Sequence, residues 1–145
     1  MLRFITDAQD NMLDYVRDDP VRPEIPREFR VSKNRFVMAL DEDSKPQAMV
    51  CVSLHDFVPA AVIDLSTDTD QPTTAIFYTI WSYRSGSARR LIQSVVRELR
   101  RTRTEITEFV TLSPQTEMAR RFHHNNGAQT LRVNGDTVNY LYSVE

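Results

Sequence analysis

The segment SYRSGS, residues 82–87, is the first place where residue types and spacing could do chemistry. It joins an apolar run to an arginine-rich amphipathic run, so we expect a strand–turn–helix unit. Gly86 would let the backbone approach a ligand closely. The N–H groups of Ser87, Ala88 and Arg89 would start the helix without intrahelical partners, which favours an anion. An ordinary joint with a serine cap is the alternative.

A second place pairs Ser113 with His123, ten residues later. Histidine titrates near neutral pH, so the pair could carry acid–base chemistry. The structural alternative makes Ser113 the cap of a helix whose first residue is Pro114. His123 or His124 would then be a cation in the last turn, where the helix dipole favours positive charge.

The third feature is a cluster of arginines. Sixteen of the 18 basic residues are arginines, and seven of them lie between Arg84 and Arg103. A basic helix face can follow phosphates, but it is more often solvated and paired with acids such as Glu98 and Glu105. The net charge of -2 and the scarcity of interleaved aromatics predict no nucleic-acid partner and no membrane partner.

Cysteine and histidine usage excludes several classes of site. Cys51 is the single cysteine, so an intramolecular disulfide is impossible and a reducing cytoplasm is the expected compartment. Its apolar neighbours favour a core residue over a thiol nucleophile paired with His55. On a helix, His123 and His124 would point about 100° apart, so no metal site is predicted. No run approaches the roughly 20 apolar residues of a membrane span.

The elements that must position these residues follow from periodicity and turn signals. Strands are predicted at residues 35–40, 47–54, 75–81 and 108–112, and a closing hairpin at 130–133 and 138–144. Helices are predicted at 88–99 and from Ser113-Pro114 to about residue 125, with Gly127 as the stop signal. Residues 7–18 give a weak helix signal, 19–26 a proline-rich loop, and 58–65 an ambiguous apolar run.

This order predicts one domain over residues 1–145, of the α/β (α+β) class, with helices packed on a mixed, mostly antiparallel sheet. The strand at 138–144 could pair across a homodimer if it forms an exposed edge of that sheet.

The element order and the glycine turn resemble the GCN5-related N-acetyltransferase (GNAT) superfamily. Its motif Q/R-x-x-G-x-G/A, which holds the pyrophosphate of coenzyme A, matches residues 83–88, with Tyr83 in place of Gln or Arg. A later motif, A-x-x-x-Y-x-x-x-G, matches Ala119, His123 and Gly127, with histidine in place of the tyrosine that protonates the leaving thiolate. The resemblance implies these coenzyme-A-binding residues: Tyr78, Ile80, Arg84, Ser85, Gly86, Ser87, Ala88 and Arg89.

Five segments narrow the resemblance further. TAIFYTI (74–80), LIQSVVREL (91–99), TLSP (111–114), FHHNNGA (122–128) and VNYLY (138–142) resemble, in order, motifs of the catalytic domain of malonyl-CoA decarboxylase. That domain has its own GNAT fold. The resemblance runs from about residue 35 to residue 142, and it implies that Ser113 and His123 are the catalytic pair.

Decarboxylation of a malonyl thioester produces an enolate, whose charge lies largely on the thioester oxygen. The Ser113 hydroxyl, or a backbone N–H, could donate a hydrogen bond to that oxygen, and His123, as an acid with a pKa near neutrality, could protonate the carbon. Asn139, Tyr140 or Tyr142 could orient the acyl group. The expected substrate is malonyl-CoA or acetyl-CoA, and an acyl carrier protein could replace coenzyme A as the carrier.

Two alternatives remain open. An N-acetyltransferase would move the acetyl group of acetyl-CoA to an amine, and it would need a base. The predicted strand AIFYTIW has no carboxylate, so His55, Asp56 and Asp64 are possible substitutes, acting directly or through water. The other alternative is a non-catalytic module that binds acyl-CoA or a protein.

Overall fold

The computed structural model describes residues 1–143, and one eight-stranded sheet organises them. The strands are β1 (Leu2–Ile5), β2 (Arg35–Glu42), β3 (Lys45–His55), β4 (Thr74–Ser82), β5 (Glu108–Thr111), β6 (Ser113–Pro114), β7 (Ala128–Val133) and β8 (Thr137–Tyr142). The strand order is β1-β2-β3-β4-β5-β8-β6, and β7 pairs with β8. Only β4 and β5 are parallel within the described residues, which confirms the predicted mixed, mostly antiparallel sheet.

Helices cover both faces of the sheet. They are α1 (Arg27–Arg30), α2 (Ser87–Thr102) and α3 (Glu117–Asn125), with 3-10 helices at Asn11–Asp18 and Val62–Ser66. The apolar stripe of α2 packs against one face, as its spacing predicts. Leu91, Ile92, Val95 and Leu99 are fully buried there, and Ala88 and Val96 are partly buried. The 3-10 helix at Asn11–Asp18 packs on the other face. No helix in the described part of the chain is long and apolar enough to cross a membrane.

A β-bulge distorts β4 near its middle. Cys51 of β3 pairs with Thr79, whereas the next residue, Val52, pairs with Phe77. Tyr78 is therefore the extra residue of the bulge. Bulges bend a strand and redirect its side chains.

Beyond this bulge, β4 and β5 separate. Their parallel pairing ends at Phe77 and Thr111, although β4 continues to Ser82. The chain after β5 moves away into β6, which pairs with β8 instead. The second half of β4 therefore has no strand partner on its β5 side, and a cleft opens there.

The predicted helix start at Ser113-Pro114 is wrong. These two residues form β6, with Ser113 opposite Val138 and Pro114 opposite Thr137. Helix α3 starts three residues later, where the Thr116 side chain accepts the Ala119 N–H at 3.1 Å. A serine–proline pair resembles a helix cap locally, but here pairing with a distant strand determines its conformation.

The chain termini also differ from prediction. Residues 2–5 form β1, which no sequence signal indicated, and the weak helix expected at 7–18 is the 3-10 helix Asn11–Asp18.

Within the chain, the ambiguous run 58–65 contributes the 3-10 helix Val62–Ser66. The closing hairpin is confirmed through Tyr142, and its predicted end at 144 lies outside the described residues.

The predicted exposed edge at 138–144 is wrong. β8 is an inner strand, because β5 and β6 pair with it on one side and β7 on the other. The edge at this end of the sheet is β7, most of whose residues are exposed. The edge-strand argument for a homodimer that pairs through β8 therefore no longer applies.

Candidate active site

A cavity of about 630 Å³ fills the cleft beside β4. Its walls come from the 19–26 loop, the second half of β4, the start of α2, the segment 112–114 and α3. A volume of this size matches the sites that proteins use for small molecules and cofactors. Among the described residues that line it, the titratable side chains are Tyr78, Arg89 and His123, and no carboxylate is present.

His123 lies in the last turn of α3 and is only 5% exposed. Its Nδ1 is 2.6 Å from the Tyr142 hydroxyl, and its ring stacks on Tyr140 with centroids 5.1 Å apart. Its Nε2 has no hydrogen-bond partner within residues 1–143, so this nitrogen is the ring atom available to the cavity.

The environment of His123 changes its expected protonation state. Burial, assisted by the neighbouring His124, lowers the pKa of His123 to about 4. Burial disfavours the imidazolium because it removes the water that would solvate the charge. The expectation of a pKa near neutrality is therefore wrong, and the ring is neutral at pH 7 when the cavity holds no ligand.

Ser113 lines the same cavity and is 4% exposed. Its Oγ lies 2.7 Å from Oγ1 of Thr111, which also accepts the backbone N–H of Tyr140 at 3.1 Å. The Ser113 hydroxyl donates to Thr111, whose oxygen has two lone pairs and accepts both this proton and the Tyr140 N–H. The serine hydroxyl must therefore turn away from Thr111 to donate into the cavity. No hydrogen bond joins Ser113 to His123 in the described structure.

Thr111 is a residue that sequence reasoning left without a role. It precedes Ser113 by two positions, and side chains at that spacing on an extended chain share a face. This spacing could have identified Thr111 as the partner of Ser113.

Asn139, Tyr140 and Tyr142 do not line the cavity, contrary to the prediction that they contact the acyl group. Tyr140 and Tyr142 lie behind His123, as described above. Asn139 is fully buried and donates to the carbonyls of Pro59 at 3.0 Å and Thr111 at 2.8 Å. On the side away from the cavity, Tyr140 and Tyr142 therefore support His123, and Asn139 supports the backbone of Thr111.

The glycine turn borders the cavity through Gly86, Ala88 and Arg89, and Tyr78 and Ile80 line it from β4. Gly86 caps α2 with φ of 80°, a left-handed conformation that favours glycine. Arg84, Ser85 and Ser87, three further predicted binding residues, lie outside the lining.

One detail of the predicted anion site is wrong. The Ser87 N–H is paired with the Arg84 carbonyl at 3.2 Å, and the Ser87 hydroxyl donates to the carbonyls of Gln47 and Arg84. The N–H groups of Ala88 and Arg89 have no acceptor assigned within the described residues. These two groups form the available part of the helix start.

Tyr83, the residue that departs from the GNAT motif, connects two elements. Its hydroxyl donates to Asp18 at 2.8 Å and accepts from the Trp81 indole at 3.0 Å. It therefore fastens the 3-10 helix Asn11–Asp18 to the end of β4.

The side chains proposed as a base for acetyl transfer lie elsewhere. His55 is 2.6 Å from the Ser53 hydroxyl, and the carboxylate of Asp64 accepts the N–H groups of Ala60 and Ala61. Neither residue, nor Asp56, lines the cavity. Cys51 is fully buried, and burial raises the pKa of its thiol to about 11.

A buried polar network supports the cavity wall, and no sequence signal indicated it. The Asp19 carboxylate accepts from the Arg30 guanidinium at 2.8 Å and from the Thr79 hydroxyl at 2.7 Å. The guanidinium of Arg22 donates to the carbonyls of Tyr78 at 3.0 Å and Leu112 at 3.1 Å. The network thus joins the 19–26 loop to β4 and to Leu112, the residue between β5 and β6.

Comparisons with known proteins connect this geometry to a family. The sequence model of the malonyl-CoA decarboxylase C-terminal domain matches residues 36–143. None of the curated proteins compared with the chain matches it.

Solved structures show the same fold. Malonyl-CoA decarboxylase from Agrobacterium vitis superposes with a TM-score of 0.83 at 22% identity, over 100% of this chain and 60% of that one. A GNAT-family acetyltransferase from Desulfovibrio desulfuricans gives 0.67 at 17% identity, over 97% and 98% of the two chains. PaiA N-acetyltransferase from Thermoplasma acidophilum, solved with coenzyme A, gives 0.63 at 9% identity, over 99% of each chain. The chain thus has a GNAT fold and spans about 60% of the length of that decarboxylase.

Proposed function

Since the chain belongs to the malonyl-CoA decarboxylase C-terminal domain family, we propose that it binds a malonyl thioester of coenzyme A and decarboxylates it. The product is an acetyl thioester. Ser113 and His123 are the catalytic residues in this proposal.

The start of α2 provides the binding site for the pyrophosphate. The N–H groups of Ala88 and Arg89 are available there, Gly86 leaves the approach open, and the positive end of the helix dipole favours an anion. Coenzyme A is also the ligand in the PaiA structure with the same fold. The pantetheine arm would then follow the apolar wall along β4.

The observation that carries the choice of reaction is the absence of a carboxylate from the lining of the cavity described above. Transfer to an amine requires a base for the amine proton, whereas decarboxylation requires none. Apolar walls also favour decarboxylation, because they withdraw water from the reacting carboxylate. The available groups, a hydroxyl and one imidazole nitrogen, are those that enolate formation and protonation require.

The reaction proceeds in two steps. The bond between the α-carbon and the carboxylate breaks, carbon dioxide leaves, and the electron pair forms an enolate stabilised by the Ser113 hydroxyl. His123 Nε2 then gives a proton to the α-carbon, and solvent restores the proton to the histidine. The negative charge of the bound substrate raises the pKa of His123 from its low value, since an opposite charge in a dry site favours the imidazolium.

The test mixes purified protein with malonyl-CoA, acetyl-CoA or a malonyl acyl carrier protein and follows all species by mass spectrometry. We expect malonyl thioester to become acetyl thioester, at a rate that His123→Ala lowers by about 10²- to 10⁴-fold. Arg121→Ala is the matched control, because Arg121 is an exposed residue of the same helix and does not line the cavity.

Other results would contradict the proposal. Binding of malonyl thioesters without release of carbon dioxide would exclude decarboxylation. Acetylation of an added amine would support an N-acetyltransferase instead, with His123 protonating the leaving thiolate. A protein that binds none of the thioesters would be a docking module.

A further inference from the structure

The Tyr142 hydroxyl lies behind His123, because His123 lines the cavity and Tyr142 does not. Tyr142 is held within the sheet, where β8 pairs it with Phe109 of β5 and with Ala128 of β7. The residue is 5% exposed, and its hydroxyl oxygen is 2.6 Å from Nδ1 of His123. Among residues 1–143, this is the one hydrogen bond that the hydroxyl makes.

The direction of this hydrogen bond follows from the acceptors that are present. A neutral imidazole carries one proton, on Nδ1 or on Nε2, and its other nitrogen accepts. If Nδ1 donated, the Tyr142 proton would be buried with no acceptor in the described chain, which costs free energy. If Tyr142 donates, its proton and the Nδ1 lone pair are both satisfied. Burial raises the pKa of Tyr142, so the hydroxyl keeps the proton that it donates.

Aromatic neighbours fix the orientation of the His123 ring. The ring stacks on Tyr140 at an angle of 27°, and the rings of Phe122 and Tyr142 meet it edge-to-face with centroids 5.1 and 5.8 Å away. A buried ring packed on several sides holds one orientation. Nδ1 therefore stays beside Tyr142, and Nε2 stays available to the cavity.

We propose that Tyr142 is a positioning residue that keeps the proton of the neutral His123 ring on Nε2. In an imidazole, the hydrogen bond made at one nitrogen determines whether the other carries the proton. The ring then presents a hydrogen-bond donor to the cavity instead of a base. It can donate to the oxygen of an enolate or protonate its α-carbon, but it cannot accept the proton of an attacking amine.

The use of this proton in catalysis rests on the proposed function. When bound malonyl thioester favours the imidazolium, the second proton enters at Nδ1 and the Tyr142 hydroxyl rotates to accept from it. The Nε2–H bond then breaks as the bond from hydrogen to the α-carbon forms, and a proton from solvent restores Nε2. When the product leaves, the ring loses the Nδ1 proton and Tyr142 donates again. Each turnover consumes one proton, as conversion of the malonyl thioester to acetyl thioester and carbon dioxide requires.

The direct test is NMR spectroscopy of the full chain with nitrogen-15-labelled histidine, at pH 7 and without a ligand. Protonated and unprotonated imidazole nitrogens have well-separated shifts, and the protonated one shows a one-bond coupling to hydrogen. The chain has three histidines, so the variant His123→Gln identifies the signals of His123. We expect a protonated Nε2, an unprotonated Nδ1, and a downfield hydroxyl proton that Tyr142→Phe removes.

Kinetics test the same hydrogen bond. Tyr142→Phe keeps the aromatic ring and removes the hydroxyl, so kcat for malonyl-CoA should fall about three- to tenfold, the size of one hydrogen bond, while KM stays within about twofold. Tyr140→Phe is the matched comparison, because Tyr140 packs on the same imidazole while its hydroxyl makes no hydrogen bond to it in the described chain. Its loss of kcat should be the smaller one.

A proton on Nδ1 of His123 would overturn the inference, since Tyr142 would then accept and Nε2 would be a base. Equal losses of kcat in Tyr142→Phe and Tyr140→Phe would overturn it as well, because packing alone would explain them. If Nε2 carries the proton and the protein releases no carbon dioxide from malonyl-CoA, the role of Tyr142 stands and the proposed decarboxylation fails.

Discussion

Two parts of the cavity wall would interact with the charges of a bound ligand in different ways. The reaction wall, formed by Ser113 and His123 with Thr111 behind Ser113, consists of buried side chains, and each is held by a hydrogen bond to another buried group. The anchoring turn, residues 84–89, presents backbone N–H groups and two exposed arginines, Arg84 and Arg89. In a buried wall, a single atom can make a strong electrostatic interaction with the ligand. In an exposed turn, the interaction is shared among several groups, and dissolved salt weakens each of them.

The largest expected effect is the loss of His123 from the reaction wall. His123→Ala should lower kcat for malonyl-CoA by about 10²- to 10⁴-fold, the usual contribution of a general acid. Affinity for coenzyme A should stay within about twofold, because the anchoring turn is intact. Rate and binding measurements on the same preparation check this, and an equal loss of both would mean that the two parts of the wall are not independent.

Ser113→Ala should lower kcat by about 10²-fold, since it removes one donor to a developing oxyanion. Thr111→Val should cause a smaller loss in the same direction, because it removes the partner that orients the Ser113 hydroxyl. Steady-state kinetics of both variants test this order. A Thr111→Val enzyme as slow as Ser113→Ala would show that the threonine itself contacts the substrate.

The reaction wall should also make stability depend on pH. The pKa of His123 is about 4 in the folded protein, below its ordinary value of 6.5, so the unfolded chain binds more protons between these pH values. Stability should therefore fall as the pH drops from about 6.5 to 4, with a contribution from His123 of about 3 kcal/mol. Urea unfolding at several pH values should show a flatter profile in His123→Gln. Burial also lowers the pKa of His55, which leaves a remainder of the same sign.

The smallest effects are expected at the anchoring turn. Arg89→Gln should raise the KM for malonyl-CoA about two- to fivefold at low salt and less at 0.5 M salt, since an exposed charge of this kind contributes about 0.5–1 kcal/mol. Measuring KM at both ionic strengths checks it. A salt-independent loss greater than about tenfold would indicate that Arg89 becomes buried against the ligand.

Features of the fold that depend on neighbouring residues could be predicted from the sequence, whereas features that depend on distant residues could not. The amphipathic stripe of α2 and the stop at Gly127 arise from neighbouring residues, so periodicity and turn chemistry identified them. The strand character of Ser113-Pro114 depends on pairing with residues 137 and 138, and local signals pointed to a helix instead.

The candidate site was harder to predict for the same reason. Short motifs and a family resemblance identified Ser113 and His123 as candidates, but the low pKa of His123 depends on burial that only the folded chain produces. Arg22 contacts Tyr78 and Leu112, 56 and 90 positions away, and nothing near it in sequence marks it.

The bulge at Tyr78 has a consequence for how this sheet can vary. Side chains on a strand alternate between its two faces, so a shift of one residue exchanges them. Deleting Tyr78 would restore regular pairing with β3 and turn the residues beyond it, such as Ile80, to the opposite face. A chain shortened by that one residue could keep the hydrogen bonds of the sheet while losing the cavity-facing surface of β4. The number of residues in β4 is thus as strongly constrained at the bulge as the type of residue is at other positions of the cavity wall.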